Sequence, residues 1–182
     1  MKITRPIRAV LFDMDGVMVD SEFVYMKYLL EFAKEKNPAV KMEDINPMVG
    51  RSRQDSWTVM EQAVNNGENW ETLIREWADR DIYSQIDYRK IFRPEMKTTV
   101  QELKRRGYIV ALVSSTGPKL ISRIVEEVGM RPEFDLIVSG KQFKQSKPNP
   151  EIYHYTADTL GIREDECFVV AVSYTHLTLP TT

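Results

Sequence analysis

Short apolar runs separated by helical patterns constrain the fold of this chain more than any other sequence feature. The first run is Val10, Leu11 and Phe12, preceded by Ile7 and Ala9. Three more follow, at residues 108–113, 134–138 and 167–170. Runs of this kind are typical of strands buried on both faces of a parallel sheet. Their alternation with helical patterns predicts an α/β fold, namely a Rossmann-like open parallel sheet with helices on both faces.

The helical patterns divide the chain into a core and an insert. Asp20 and Ser21 can cap a helix after the first strand, and the core helices are expected around residues 96–103, 121–128 and 153–160. Residues 42–93 instead show two helical stretches, around 54–64 and 70–82, with no strand between them. We therefore predict a core of residues 1–18 and 94–171, a helical insert at 19–93, and a separate tail at 172–182.

Composition excludes several classes of partner. The 182 residues are 42% hydrophobic and 29% charged, which predicts an ordered globular protein. A net charge of -2 gives no basic field for nucleic acid or anionic membrane, and no segment reads as a signal peptide or membrane span. The single cysteine, Cys167, cannot form an internal disulfide, which favours a reducing, cytoplasmic setting.

Acidic, hydroxyl and basic residues follow the predicted strands where those strands end. Asp13 and Asp15 come after the first strand, Ser114 and Ser115 after the second, and Lys147 after the third. Ligands of open parallel sheets bind at the carboxyl ends of the strands, so these side chains are expected to converge. The order of the residues therefore predicts one site built from distant parts of the sequence.

The chemistry of this set favours phosphoryl transfer. An aspartate such as Asp13 can take a phosphoryl group covalently, if the negative charge on the oxygens is neutralised. Mg²⁺ suits this task because it prefers oxygen ligands, while Lys147 would add a compact positive charge and Ser114 a hydroxyl donor. Asp15 could protonate the leaving oxygen and later activate water.

Each member of the set also has a plain structural explanation. Asp15 and Gly16 could form an ordinary turn, and Ser114, Ser115 and Thr116 could simply cap the helix that follows Pro118. Lys147, between polar residues and prolines, could be a solvated loop residue. Arg51 and Arg53 most simply lie at an exposed helix start, and Trp57, Trp70 and Trp77 most simply form the core of the insert.

Taken in order, the motifs resemble those of the haloacid dehalogenase superfamily, in its β-phosphoglucomutase-like sugar-phosphatase branch. The segment DMDGVMVDSE from Asp13 is similar to the first signature, Val113 to Ser115 to the second, and SKPNPE from Ser146 to the third. The resemblance implies that Asp13 is the nucleophile and a magnesium ligand. It implies that Asp15 is the acid/base and binds the metal through its backbone carbonyl.

The same resemblance assigns the remaining site residues. Ser114, Ser115 and Lys147 would hold the phosphate of a small phosphorylated substrate. The insert would be a cap over that substrate, with Arg53 in the segment GRSRQDS matching a cap arginine used for phosphorylated sugars. The implied cofactor is Mg²⁺, and the implied substrate is a sugar phosphate.

Two positions depart from the family pattern. Mutase members carry a histidine near Tyr25, and its absence favours hydrolysis over transfer between sugar hydroxyls. The family also follows its fourth strand with a pair of acids that complete the metal site, where this chain has Ala171 and Val172 after Val170. No acid follows to Thr182. The segment 172–182 is similar to a translated sequencing adapter, so we expect it to be a non-native tail.

Four hypotheses follow. The leading one is a magnesium-dependent phosphatase that hydrolyses small phosphorylated sugars through an aspartyl-phosphate. The second is a β-phosphoglucomutase-type phosphomutase. The third is a receiver-like binding domain, since receivers also place acids, a hydroxyl and a lysine at strand ends. The fourth is a catalytically dead fragment, because loss of the metal-binding acids would leave Mg²⁺ under-coordinated.

Overall fold

The described residues contain a four-stranded, all-parallel sheet. The computed structural model describes residues 6–49, 51–145 and 147–172. The strands are β1 (Ala9–Phe12), β2 (Ile109–Ser114), β3 (Leu136–Ser139) and β4 (Cys167–Val170), in the spatial order β3-β2-β1-β4. Phe12 lies opposite Leu112 on one side and Val170 on the other. The end of β1 is therefore flanked by the ends of β2 and β4.

Eight α-helices lie within the described residues. They are α1 (Ser21–Lys36), α2 (Met42–Ile45), α3 (Arg53–Val64), α4 (Trp70–Ala78), α5 (Ile82–Gln85), α6 (Glu95–Arg105), α7 (Pro118–Glu127) and α8 (Glu151–Leu160). Short 3₁₀ turns cover residues 46–48, 88–90, 131–133, 140–142 and 164–166. The predicted α/β class with an open parallel sheet is confirmed.

The prediction of a single helix at residues 70–82 is wrong. Two helices, α4 and α5, occupy this stretch, and residues 79–81 separate them. Asp81 adopts a left-handed backbone conformation with φ of 43°, which a continuous right-handed helix does not admit. The helical spacing of apolar residues continues across residues 79–81, so this spacing does not indicate the break.

The chain divides into two compact units. One consists of residues 1–21 and 87–182, and contains the sheet; the other consists of residues 22–86 and is helical. In the sheet unit, Ala9, Leu11, Val113 and Tyr153 belong to one buried apolar cluster. Cys167 lies in the same cluster, where burial raises the pKa of its thiol to about 11 and keeps it protonated.

The helical unit has its own aromatic core. Phe32, Trp57 and Trp77 are buried there, and the ring centroids of Phe32 and Trp77 lie 5.6 Å apart in an edge-to-face arrangement. Trp70 packs against the same cluster. The tryptophans therefore form the interior of this unit, as their plain structural explanation expected. Within the described ranges, no helix is long and apolar enough to cross a membrane.

Candidate active site

Asp13 is the first residue after β1, and its carboxylate is almost completely buried. Its side chain is 4% exposed, and its Oδ1 accepts a hydrogen bond from the backbone N–H of Met14 at 2.8 Å. The backbone N–H of Asp13 donates to the carbonyl of Val170 at 2.9 Å, so pairing with β4 extends to this residue. The carboxylate is thereby fixed at the carboxyl end of the sheet.

Lys147 faces Asp13 from the loop before α8. Its Nζ lies 3.1 Å from Asp13 Oδ2 and donates to the carbonyl oxygen of Val113 at 2.7 Å. The Lys147 side chain is 2% exposed, so the solvated-loop interpretation is wrong. Burial lowers the pKa of the ammonium, and the charge of Asp13 opposes that shift.

Both carboxylate oxygens of Asp15 accept hydrogen bonds from hydroxyl groups. The Oγ of Ser21 donates to Oδ1, and the Oγ1 of Thr116 donates to Oδ2 at 2.9 Å. Ser21 is the first residue of α1, whereas Thr116 belongs to the loop after β2. Two segments distant in sequence thus fix the orientation of a single carboxylate.

The hydroxyls of Ser114 and Thr116 make hydrogen bonds near the end of β2 and do not cap the helix that follows. Gly117 is the N-cap residue of α7, and it makes no side-chain capping bond. Ser114 is fully buried, and its Oγ accepts from the backbone N–H of Thr116 at 3.1 Å. Ser139 donates to the carbonyl of Thr116 at 2.6 Å, which ties this loop to the end of β3. The capping interpretation of Ser114 and Thr116 is therefore wrong.

Ser115 is exposed at the same end of the sheet. A Cβ added to Gly140, just after β3, would lie 3.1 Å from the Cα of Ser115. The two loops therefore approach so closely that glycine is favoured at position 140. Ser114 and Ser115 thus flank the carboxyl end of β2, one buried and one open to solvent.

Arg53 belongs to the helical unit. It is the first residue of α3, after the N-cap Ser52, whose Oγ accepts from the backbone N–H of Asp55. Arg53 is exposed and lines a cavity of about 280 Å³ within this unit, together with Tyr25, Ser56 and Trp57. The assignment of Arg53 to the substrate stays a prediction.

The donors available for Mg²⁺ are oxygen atoms of the expected kind, but they are few. Asp13 supplies a buried carboxylate, and Asp15 could supply its backbone carbonyl while its side chain accepts hydrogen bonds from two hydroxyls. Across residues 6–49, 51–145 and 147–172, no group of three or more histidine, cysteine or acidic side chains could hold a metal. Mg²⁺ commonly takes one or two protein oxygens and completes its shell with water and phosphate. The site therefore fits a magnesium ion held largely by water and substrate.

Val172, which stands at one of the two positions where the family pattern has an acid, lies close to Gly16. A Cβ on Gly16 would come within 2.9 Å of Val172 Cγ2. Gly16 also has a φ of 73°, so a side chain there would be strained as well as crowded. Residues 173–182, including most of the expected non-native tail, lie outside the described residues.

Sequence reasoning missed the role of two residues, Ser21 and Thr116. Each was noted only as a helix cap, because Ser and Thr before a helix most often have that function. A signal was present, since Thr116 follows two serines at the end of a strand. Nothing local indicates that its hydroxyl reaches Asp15.

Comparison with known proteins gives the family. The profile of the family described as haloacid dehalogenase-like hydrolase matches residues 10–172. A phosphoglycolate phosphatase from Photorhabdus laumondii is 26% identical over 178 residues, covering 94% of this chain and 75% of that protein. Hexitol phosphatase B from Escherichia coli is 25% identical over 169 residues, covering 92% of this chain and 76% of that protein.

Solved structures agree with the fold. A β-phosphoglucomutase from Clostridium difficile aligns with a TM-score of 0.65 at 20% identity, covering 93% of this chain and 78% of that one. CbbY from Rhodobacter sphaeroides, in complex with xylulose-(1,5)bisphosphate, aligns with a TM-score of 0.61 at 18% identity, covering 90% and 76%. The buried Asp13, its pairing with Lys147 and the matched profile lead to one conclusion: the chain belongs to the haloacid dehalogenase-like hydrolase family, as an enzyme of the phosphatase type.

Proposed function

We propose that this protein is a magnesium-dependent phosphatase that hydrolyses small phosphorylated sugars through an aspartyl-phosphate on Asp13. The observation that carries the proposal is the buried Asp13 carboxylate, held 3.1 Å from the ammonium of Lys147 at the carboxyl end of the sheet. The names of two relatives, phosphoglycolate phosphatase and hexitol phosphatase B, support a small phosphorylated substrate.

In the first step, a carboxylate oxygen of Asp13 attacks phosphorus and the bond to the ester oxygen breaks. Asp15, in its protonated form, gives its proton to the leaving oxygen, so the sugar departs as an alcohol. Lys147 offsets the negative charge that gathers on the phosphoryl oxygens. Ser114, whose oxygen already accepts one hydrogen bond, keeps its own proton to donate to the phosphate.

In the second step, water attacks the phosphorus of the aspartyl-phosphate. Asp15, now a carboxylate, takes a proton from this water, and the bond between phosphorus and Asp13 breaks. The products are inorganic phosphate and the original Asp13 carboxylate. Ser21 and Thr116 keep Asp15 in one orientation, so the same group can serve in both steps.

A bound Mg²⁺ would draw negative charge from the phosphate and hold it in line with the nucleophile. The Asp13 carboxylate and the backbone carbonyl of Asp15 would be its protein ligands. Arg53 and Ser115 would contact the substrate as it binds. A cytoplasmic location belongs to the same proposal, in keeping with the free thiol of Cys167.

The surroundings of Tyr25 favour hydrolysis over mutase activity. Its hydroxyl accepts a hydrogen bond from Trp77 Nε1 at 2.9 Å, and its ring lies edge-to-face against Trp77, with centroids 5.4 Å apart. Burial raises the pKa of Tyr25, so the phenol stays neutral. A neutral phenol in this packing does not replace the histidine expected of a mutase.

The proposal is tested by incubating the protein with a panel of sugar phosphates and measuring free phosphate, with Mg²⁺ and with excess EDTA. We expect phosphate release that EDTA removes and added Mg²⁺ restores. Sugar 1-phosphates are included, and their products are separated by chromatography. An isomeric sugar phosphate without free phosphate would support a mutase, whereas release that is unaffected by EDTA would exclude the role of the metal.

Thr116→Val is expected to lower kcat about 10- to 100-fold with little change in KM. Valine keeps the shape of the side chain but removes the hydroxyl that donates to Asp15, and a hydrogen bond to a charged group contributes about 1.5–3 kcal/mol. Steady-state phosphate release measures both constants. Thr98→Val is the control, because Thr98 is exposed on α6 and its hydroxyl donates to the main chain of Glu95. Equal kcat in the two variants would contradict the role of Thr116.

A further inference from the structure

Among the described residues, three groups lie close to the ammonium of Lys147. Asp13 and the carbonyl of Val113 contact it directly, and the ring of Tyr153 lies on another side, with its centroid 5.5 Å from Nζ. The lysine side chain is only 2% exposed. Because water has almost no access to the ammonium, these protein groups fix its position.

Tyr153 is placed by the first turn of α8, which begins at Glu151, shortly after Lys147. The residue is 1% exposed and packs in the same buried cluster as Leu11 and Val113. Burial and the nearby charge of Asp13 raise the pKa of its phenol well above the usual value. The ring is therefore neutral, and its face attracts a cation within about 6 Å of the centroid.

We propose that Tyr153 is a positioning residue whose ring face holds the Lys147 ammonium beside Asp13. The inference rests on the proposed function. When Asp13 forms the aspartyl-phosphate, its carboxylate loses its negative charge. The attraction between Asp13 and Lys147 therefore changes with each step. The ring of Tyr153 and the carbonyl of Val113 keep the same charge throughout. They can therefore hold the ammonium in place while its carboxylate partner is chemically altered.

Packing alone is the competing explanation, because Tyr153 also fills the core. Removing a large buried side chain costs stability wherever it lies. The variants must therefore separate loss of the ring face from loss of core volume. Tyr153→Phe keeps the ring, whereas Tyr153→Leu removes it. Ile162→Ala truncates another member of the same cluster, whose aliphatic side chain offers the ammonium neither a charge nor a ring face.

The experiment measures kcat, KM and the Kd for inorganic phosphate in these three variants. We expect Tyr153→Phe to stay within about twofold of the wild type, because a phenyl ring also attracts cations. Tyr153→Leu should lower kcat about tenfold and weaken phosphate binding by a similar factor. Ile162→Ala should lower the Tm but leave kcat, KM and Kd unchanged. In the background of Lys147→Met, Tyr153→Leu should have no further effect on phosphate binding.

Two results would overturn the inference and leave the proposed function intact. One is a Tyr153→Leu variant whose constants match those of Ile162→Ala, since the ring would then serve packing only. The other is a Tyr153→Phe variant as impaired as Tyr153→Leu, since the hydroxyl would then be the important group. A wild-type protein that neither releases phosphate from any ester nor binds inorganic phosphate overturns the proposed function itself, and the role of Tyr153 with it.

Discussion

Asp13→Asn is expected to abolish phosphate release, with kcat reduced by a factor on the order of 10³ to 10⁶. The amide cannot form the aspartyl-phosphate, and asparagine offers no negative charge to Mg²⁺. The loss should appear in kcat even at saturating substrate, because the chemical step is removed. Steady-state phosphate release, with a single-turnover assay for the residual rate, measures the effect.

Asp20→Asn is the matched control for this variant. Asp20 lies in the same segment, but its carboxylate is 54% exposed and pairs with Arg93 at 2.7 Å. The control should retain turnover, because the Asp20 carboxylate pairs with Arg93 and exposed ion pairs contribute little to stability. Retained activity in Asp13→Asn would exclude Asp13 as the nucleophile.

Lys147→Met is expected to reduce both activity and stability. The two partners of the ion pair are 2% and 4% exposed, so methionine leaves the Asp13 carboxylate buried without the ammonium. Breaking a buried pair from one side costs about 3–5 kcal/mol of the free energy of unfolding. The variant also lacks the positive charge that offsets the negative phosphoryl oxygens, which should lower kcat by about 10²- to 10³-fold. Urea unfolding and phosphate release measure the two effects.

A double-mutant cycle makes the stability prediction specific. Asp13→Asn alone should cost about 3 kcal/mol, at the low end of the range, because the amide oxygen can still accept a hydrogen bond from Lys147. Combining it with Lys147→Met should recover part of the loss, since no charge is then buried without its partner. Lys141→Met is the control, because it removes a lysine charge that is exposed rather than buried. Strictly additive losses would show that the two groups do not interact.

Much of the core was predictable because local patterns carried the information. Buried parallel strands appear as short apolar runs, and their carboxyl ends must share one edge of the sheet. The sequence alone therefore predicted that Asp13, Ser114 and Lys147 lie at one edge of the sheet. Helix boundaries were less predictable, since the break between α4 and α5 depends on a backbone conformation at Asp81 that apolar spacing does not report.

The details of the site were less predictable because hydrogen bonds depend on distances between loops. Thr116 and Asp15 are 101 positions apart in sequence, yet their side chains are hydrogen-bonded. The sequence favoured capping for Thr116, which is its commonest role before a helix. The contact between Tyr153 and Lys147 was also not predictable, because an aromatic residue on a helix usually indicates only a place in the hydrophobic core.

The sequence by itself determined the strand pattern, the acidic pair at Asp13 and Asp15, and the order of motifs that led to the family. Each depends on neighbours along the chain, so periodicity and residue type were enough. Only the tertiary structure decided that Lys147 is buried against Asp13, that hydroxyls from two segments hold Asp15, and that an aromatic ring lies beside the ammonium. The reason is physical: the alternating parallel strands bring distant loops to one edge, and burial there makes each charge depend on the partners the fold supplies.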